Sequence, residues 1–431
     1  MNATETVRAV TELLSRPDAA EPPGGPAADG GPGGSPQGAA HALGSGRSGA
    51  ALALAVLGED DAGLRRAAHG HLAAAVRSPG AMRGGGLYSG AAAIAFAART
   101  MARRPDEYRT LLDGLVPRVR QAAAGRTAGL RADLAAGAGL RAHTFDTVSG
   151  AAGLGRLLLA LEPHGPALAD LLTALVELAG PGDGVLPRWW TAGGPGLPGA
   201  DPEHPRGHLN LGLAHGVPGP LALLALARLH GARVPGQDEA IEALAGWLAA
   251  RRVPTRPGTG GPGTAHADTA HPGTGGSWPM TVRVEDEEAG RLPADPPTRA
   301  AWCYGTPGAA RALFLAGTAL GRSDWRATAV AALADTLRDP SGWNLDGPGL
   351  CHGTGGLLRI AQRMAEEFGS AELAAHLPAL AAAVAAGLDT ALGADGPSGL
   401  LEGTAGAALA LHAHARAGDT GQEWDAFLLI C

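Results

Sequence analysis

The chain has 431 residues, of which 45% are hydrophobic and only 4% aromatic, so a sizeable core must be built mainly from Ala and Leu. A net charge of −7 with no basic stripe argues against a nucleic-acid footprint. Three cysteines cannot make a disulfide framework, which fits a reducing compartment.

The first residues, "MNATETVRAVTELLSRP", predict a short helix and contain no apolar signal region. Pro17–Gly46 is rich in Gly, Pro and Ala and reads as a disordered linker. From there one phrase recurs seven times: a glycine, two residues, a second small residue, then an apolar run. It stands at Gly46 ("SGRSGAALALAV"), Gly90 ("SGAAAIAFAA"), Gly150 ("SGAAGLGRLLLAL") and Gly216 ("HGVPGPLALLALA"). It returns at Gly305 ("YGTPGAARALFLA"), Gly353 ("HGTGGLLRIAQ") and Gly403 ("EGTAGAALALHAHA"). The first glycine permits a tight turn, and the second small residue permits close helix packing. The apolar run predicts a buried helix. Amphipathic segments such as Asp238–Arg252 lie between copies and predict an outer layer with one wet face.

Almost nothing alternates with period two, so the expected class is all-α. The first and last copies are as apolar as the middle ones, whereas an open solenoid needs polar caps. The pattern therefore favours a closed ring of seven inner and seven outer helices built from seven G-x-x-G repeats, with an open superhelix as the alternative. The expected organisation is a helix and linker over residues 1–41 and one domain over 42–431. A Gly/Pro/Thr-rich insert, Pro254–Gly276, accounts for most of the longest gap between copies, and Ser277–Glu288 predicts a short strand near the mouth of the ring. Apolar stretches such as Pro220–Ala227 are too short to span a bilayer. The chain reads as a soluble cytoplasmic protein.

In a ring, the residue before each first glycine faces a shared opening. These residues are Ser45, Ser89, Ser149, His215, Tyr304, His352 and Glu402, with Cys303 and Cys351 one place further back. Cys303, Cys351 and His352 offer two thiolates and an imidazole, a set that leaves one tetrahedral position of a zinc ion open. The alternative is two packed cysteines and a hydrogen-bonded histidine. His215 is either an acid–base group or a packing residue. Asp146, four residues before Gly150, either orients His215 or caps a helix. Arg299, four residues before Cys303, either stabilises an anion or is a solvated loop charge. Tyr304 is a donor or a wall of the site. Glu402 and the serines have no role derivable from their chemistry; Glu402 is retained as a substrate contact.

"AWCYGTPG" and "LCHGTGG", with "NLGLAHGVPG" upstream and "LLEGTAG" and "EWDAFLLI" downstream, resemble the lanthionine synthetase C-like family, the LanC-type cyclases of lanthipeptide (lantibiotic) biosynthesis. The resemblance runs from about Ala42 to the end. It implies an α/α toroid and one Zn2+ per chain on Cys303, Cys351 and His352. It also implies catalytic roles for His215, Asp146, Arg299 and Tyr304. The implied reaction adds peptide cysteine thiolates to dehydroalanine or dehydrobutyrine, forming lanthionine or methyllanthionine. The implied partners are a dehydrated precursor peptide with its leader, a lanthipeptide dehydratase and an exporter. The implied location is cytoplasmic, peripheral to a membrane-associated complex. The N-terminal segment, the Pro254–Gly276 insert and Phe145, where the family often has Tyr, depart from the pattern. The rival readings are other zinc–thiol chemistry on an α/α ring (glutathione addition or prenyl transfer) and a non-catalytic peptide-binding scaffold.

Overall fold

A computed structural model describes residues 3–16, 39–83, 85–182, 186–194, 201–254, 275–292, 298–394, 396–417 and 423–431. The helices in chain order are α1 (Ala3–Leu14), α2 (Arg47–Leu57), α3 (Ala62–Arg77), α4 (Gly90–Met101), α5 (Arg109–Ala136), α6 (Ala142–Phe145), α7 (Ala151–Leu161) and α8 (Pro166–Leu178). They continue with α9 (Pro218–Leu229), α10 (Gln237–Ala250), α11 (Val284–Glu288), α12 (Thr306–Leu320), α13 (Ser323–Arg338), α14 (Thr354–Phe368), α15 (Ala371–Gly393) and α16 (Thr404–Ala415). Four short strands, β1 (His208–Asn210), β2 (Val253–Pro254), β3 (Gly276–Ser277) and β4 (Thr281–Arg283), form two antiparallel pairs, β1–β4 and β2–β3.

Each repeat phrase starts one of the helices α2, α4, α7, α9, α12, α14 and α16. These seven touch in order, and α16 meets α2, which closes the ring. They are buried on nearly all faces, as their apolar all-round sequences require: in α12 every residue from Thr306 to Gly317 is buried. The outer layer is α3, α5, α8, α10, α13, α15 and α1. The seventh outer helix is thus α1, which precedes the first repeat. It packs on α15, α16 and α2, its Thr6 hydroxyl donates to Asp389 at 2.7 Å, and its Leu14 carbonyl accepts from His71 Nε2 at 2.9 Å. The all-α double ring, an α/α toroid, agrees with the periodicity of the sequence.

The loops that precede the inner helices are tied to one another by backbone hydrogen bonds that cross from repeat to repeat. Leu43 N donates to Tyr88 O, Thr147 N to Ala214 O, Ala214 N to Cys303 O and Cys303 N to Cys351 O, at 3.0–3.3 Å. Cys351 N donates to Leu401 O, and Leu401 N to Gly44 O, both at 2.8 Å. Between the second and third repeats the loops meet by close packing instead: a Cβ on Gly86 would lie 2.5 Å from Ser149 Cα.

The second small residue of the phrase answers to the loop rather than to a neighbouring helix. A Cβ on Gly153 would stand 2.0 Å from the Thr147 carbonyl oxygen, and one on Gly308 would stand 2.3 Å from that of Trp302. In both cases the chain six residues back folds onto the first helical turn. Gly153→Ala is expected to lower unfolding stability by about 1–3 kcal/mol, as overpacking does, read as a lower urea midpoint at unchanged slope.

The linker expected at Pro17–Gly46 lies outside the described residues over 17–38, as does the insert over 255–274. The ends of that insert are pinned by the β2–β3 pair. The strand expected within Ser277–Glu288 is β4, whose Val282 pairs with Leu209 of β1. One expectation needs correction. By length and composition α15 is apolar enough to cross a bilayer. Its Leu373, Leu377, Leu380, Val384 and Leu388 face inward at helical spacing, and alanines fill much of the outward side. In this fold α15 packs on α14, α16 and α1 as an outer helix.

The axis of the ring is occupied by the last residues of the chain. Trp424–Leu428 forms a 3-10 turn, all of it buried. Its carbonyls and carboxylates are met by arginines from the inner helices. Arg156 Nε donates to Cys431 O at 2.8 Å, Arg311 Nε to Ile430 O at 2.8 Å, and Arg359 Nε to Asp425 Oδ2 at 2.6 Å. Arg156, Arg311 and Arg359 hold the same position in their repeats, six residues after the first glycine. Cys431 donates its thiol to Asp425 at 3.2 Å.

Candidate metal centre and acid–base pair

The turn that carries Cys303 is set by its glycine. Gly305 has φ +94°, and a Cβ there would lie 1.7 Å from the Arg299 carbonyl, so the loop folds back sharply on itself. An Ala300–Gly305 bridge closes this turn and leaves Cys303 and Tyr304 at its tip. Cys351 and His352 stand on the next repeat's loop, where Asp346 N donates to His352 O at 2.9 Å. The Cys303 N to Cys351 O hydrogen bond at 3.1 Å sets the two loops side by side.

As a result Cys303 Sγ, Cys351 Sγ and a ring nitrogen of His352 all lie within 4.8 Å of one another. Among the described residues this is the one such group. Two sulfurs and one imidazole suit a borderline-soft divalent ion and leave one tetrahedral vertex free. The cluster can hold a metal ion. The same proximity polarises the free thiols. A hydrogen bond from Cys351, reinforced by His352 and Arg299, brings the Cys303 thiol down to about 5 against the opposing effect of burial. Cys351 is pushed up, first by that shared hydrogen bond and then by burial. His352 is raised by its hydrogen bond to Cys303. The cluster's own hydrogen bonds therefore favour a thiolate at Cys303 over one at Cys351.

His215 Nδ1 meets Asp146 Oδ2 at 2.7 Å. Asp146 is 2% exposed in its side chain and His215 is 41% exposed, so the carboxylate is sealed behind the ring and the ring looks into the mouth. Asp146 bridges the turn before α7 and the His215 ring. Its Oδ1 accepts from Ser149 N and Gly150 N at 2.7 Å, which caps the turn before α7, while Oδ2 takes the imidazole. Burial pulls the His215 pKa down, but the hydrogen bond and charge of Asp146, with the charge of Cys303, raise it overall.

Tyr304 lies beside this pair, its ring centroid 6.4 Å from that of His215. Arg299 donates Nη2 to Asp346 Oδ2 at 2.7 Å, and its charge still bears on all three cluster residues. Glu402 is exposed at the adjoining loop, and its negative charge raises both Cys351 and His352. The ring thus brings Cys303, Cys351, His352, His215, Asp146, Tyr304, Arg299 and Glu402 to one mouth.

Sequence reasoning missed Asn210, which joins Tyr304 to the loop of His215, and Asp346, the partner of Arg299. It also missed the support under the site: Trp302, next to Cys303, donates its indole N–H to Leu428 O of the C-terminal segment at 2.8 Å. The signal for that support was an arginine at one position of three otherwise apolar phrases.

Among solved structures, nisin cyclase matches with a TM-score of 0.77, at 20% identity, over 98% of this chain and 97% of that chain. No curated protein sequence matches. A family model described as lanthionine synthetase C-like protein matches residues 40–429. The chain belongs to the lanthionine synthetase C-like family.

Proposed function

We propose that this protein is a zinc-dependent lanthipeptide cyclase, which closes thioether rings in a dehydrated precursor peptide. The observation that carries this reading is the Cys303–Cys351–His352 cluster, all donor atoms within 4.8 Å, facing the same mouth as the His215–Asp146 pair. Zinc on these three residues would keep one position for a substrate thiol and hold that thiol as thiolate at neutral pH.

The chain's own residues do the rest. Addition of thiolate sulfur to the β-carbon of dehydroalanine or dehydrobutyrine moves the double-bond electrons toward the carbonyl as an enolate. His215, whose protonated form Asp146 favours, delivers a proton to the α-carbon. The proton lost by the substrate thiol restores His215, so thiol and alkene become thioether with no net gain or loss. Arg299 adds positive charge beside the sulfurs, with Asp346 fixing its direction. Glu402 lies at the rim within reach of an entering peptide. The partners that fit are the precursor with its leader, the dehydratase that supplies the alkene and an exporter that takes the product, at a cytoplasmic site beside the membrane.

The test is incubation with a dehydrated, cysteine-containing peptide. The expected product has unchanged mass and one fewer alkylatable thiol per ring. Because His215 acts as an acid and its pKa is raised, its proton is present below that pKa and lost above it. The rate is therefore expected to fall on the alkaline side. Asp146→Asn removes the group that raises the pKa and should move this limb to lower pH, and His215→Asn should remove it. An Asp146→Asn profile that superposes on the wild type would end the acid assignment.

A further inference from the structure

Asn210 ends β1, is 4% exposed, and has both ends of its side-chain amide engaged. Its Oδ1 accepts from Gly212 N at 2.9 Å. A backbone N–H can only donate, so the oxygen must face Gly212 and the nitrogen must face the other way. That nitrogen, Nδ2, donates to the Tyr304 hydroxyl at 3.1 Å. A phenol that accepts from an amide keeps its single proton for a different acceptor. Among the described residues no hydrogen bond takes that proton. Gly212 packs on the Tyr304 ring, where a Cβ would lie 2.7 Å from Cδ1, which holds the ring in place. The guanidinium of Arg299 is turned toward Asp346 by its Nη2 hydrogen bond.

We propose that Asn210 is a positioning residue that makes the Tyr304 hydroxyl an obligate donor to the carbonyl oxygen of the dehydroamino acid. This rests on the cyclase reading. As the carbon–sulfur bond forms, negative charge collects on that oxygen. Tyr304 stabilises it by hydrogen bonding without giving up its proton, and the α-carbon takes its proton from His215. The strand pairing of Asn210 with Thr281 of β4 then has a catalytic purpose, because it fixes the amide that orients the phenol.

Asn210→Asp keeps the shape and the Gly212 bond but turns a carboxylate oxygen toward Tyr304, which captures the phenol proton. The expected loss in kcat is on the order of 10²-fold, the scale of losing one oxyanion donor, with KM and zinc content little changed. Tyr304→Phe should lose as much, and the double variant should lose no more than either alone. Full kcat in Tyr304→Phe, or a further loss when Asn210→Asp is added to it, overturns the proposal. A second readout needs no turnover. With only three tyrosines in the chain, the ring Cζ resonance of Tyr304 can be assigned by its absence in Tyr304→Phe. It should shift in Asn210→Asp as the hydroxyl changes from acceptor to donor toward residue 210. An unmoved resonance overturns the proposal. A wild type that cyclises no dehydrated peptide, with the shift still observed, brings down the cyclase reading and leaves the oriented phenol standing.

Discussion

Cys303→Ala is expected to yield a folded protein without bound zinc and with cyclisation reduced to background. The wild type should carry about one zinc per chain by elemental analysis, and Cys351→Ala should match the Cys303 variant. Only three protein donors meet at the centre, so removing one leaves two, too few for a stable site. The loss of rate has a calculable floor. A free thiol with a pKa near 8.5 is only about 3% thiolate at pH 7. Ionisation alone therefore costs about 30-fold, and losing the fixed position of the sulfur costs more. A Cys303→Ala protein that keeps its metal would refute the ligand assignment outright.

The second large effect lies beneath the site. Asp425 is fully buried and bonded to Arg359 Nε at 2.6 Å and to Arg363 Nε and Nη2 at 2.7 and 2.6 Å. Asp425→Ala would take the buried carboxylate from two guanidiniums that are 8% and 11% exposed, leaving Arg359 only Gln362 and Arg363 only Glu367 at 3.9 Å. Breaking such a group from one side costs about 3–5 kcal/mol, read as a drop in the urea midpoint. The pH dependence has a definite sign. Burial pushes the Asp425 carboxyl up, but the two arginines override it and hold it well below the usual carboxylate range. Its stabilising effect is then complete above the unfolded value near 3.9 and is lost only as pH falls toward the depressed folded value. The difference between wild type and variant should be flat from pH 8 to pH 5. A difference that already shrinks across that range would mean that the carboxyl is protonated far more readily than its surroundings imply.

Much of this was legible because the repeats put equivalent residues in equivalent places. Cys303 and Cys351 are 48 residues apart in sequence. Their shared place before a repeat glycine predicted that they meet, and a loop-to-loop hydrogen bond carries this out. His215 was found by its place directly before a repeat glycine, whereas Asp146, four residues before its own, was found only as a nearby carboxylate. What repetition does not encode was not legible. Asp346 and Asn210 have no counterparts in the other copies, and their partners are set by loop paths. The C-terminal segment has no helical period, so its place on the axis came only from the structure. The glycines were recognised for their position, but the reason for the second one, a carbonyl pressed on the helix start, needed coordinates. The length of α15 went unremarked because its outward face is alanine, which looks neither wet nor core-like.

The stopper on the axis has a consequence for how a substrate is handled. With Trp424–Cys431 lodged between α7, α12 and α14, the ring has a floor and is not a tunnel. A peptide cannot be drawn through it like thread through a bead. On the cyclase proposal, each segment would enter and leave by one door, the mouth that carries Cys303, Cys351 and His352, and a finished thioether loop would leave by the way its cysteine came in. Several rings on one peptide would then be made in separate visits, their sequence governed by how quickly each segment finds the door and how long it stays.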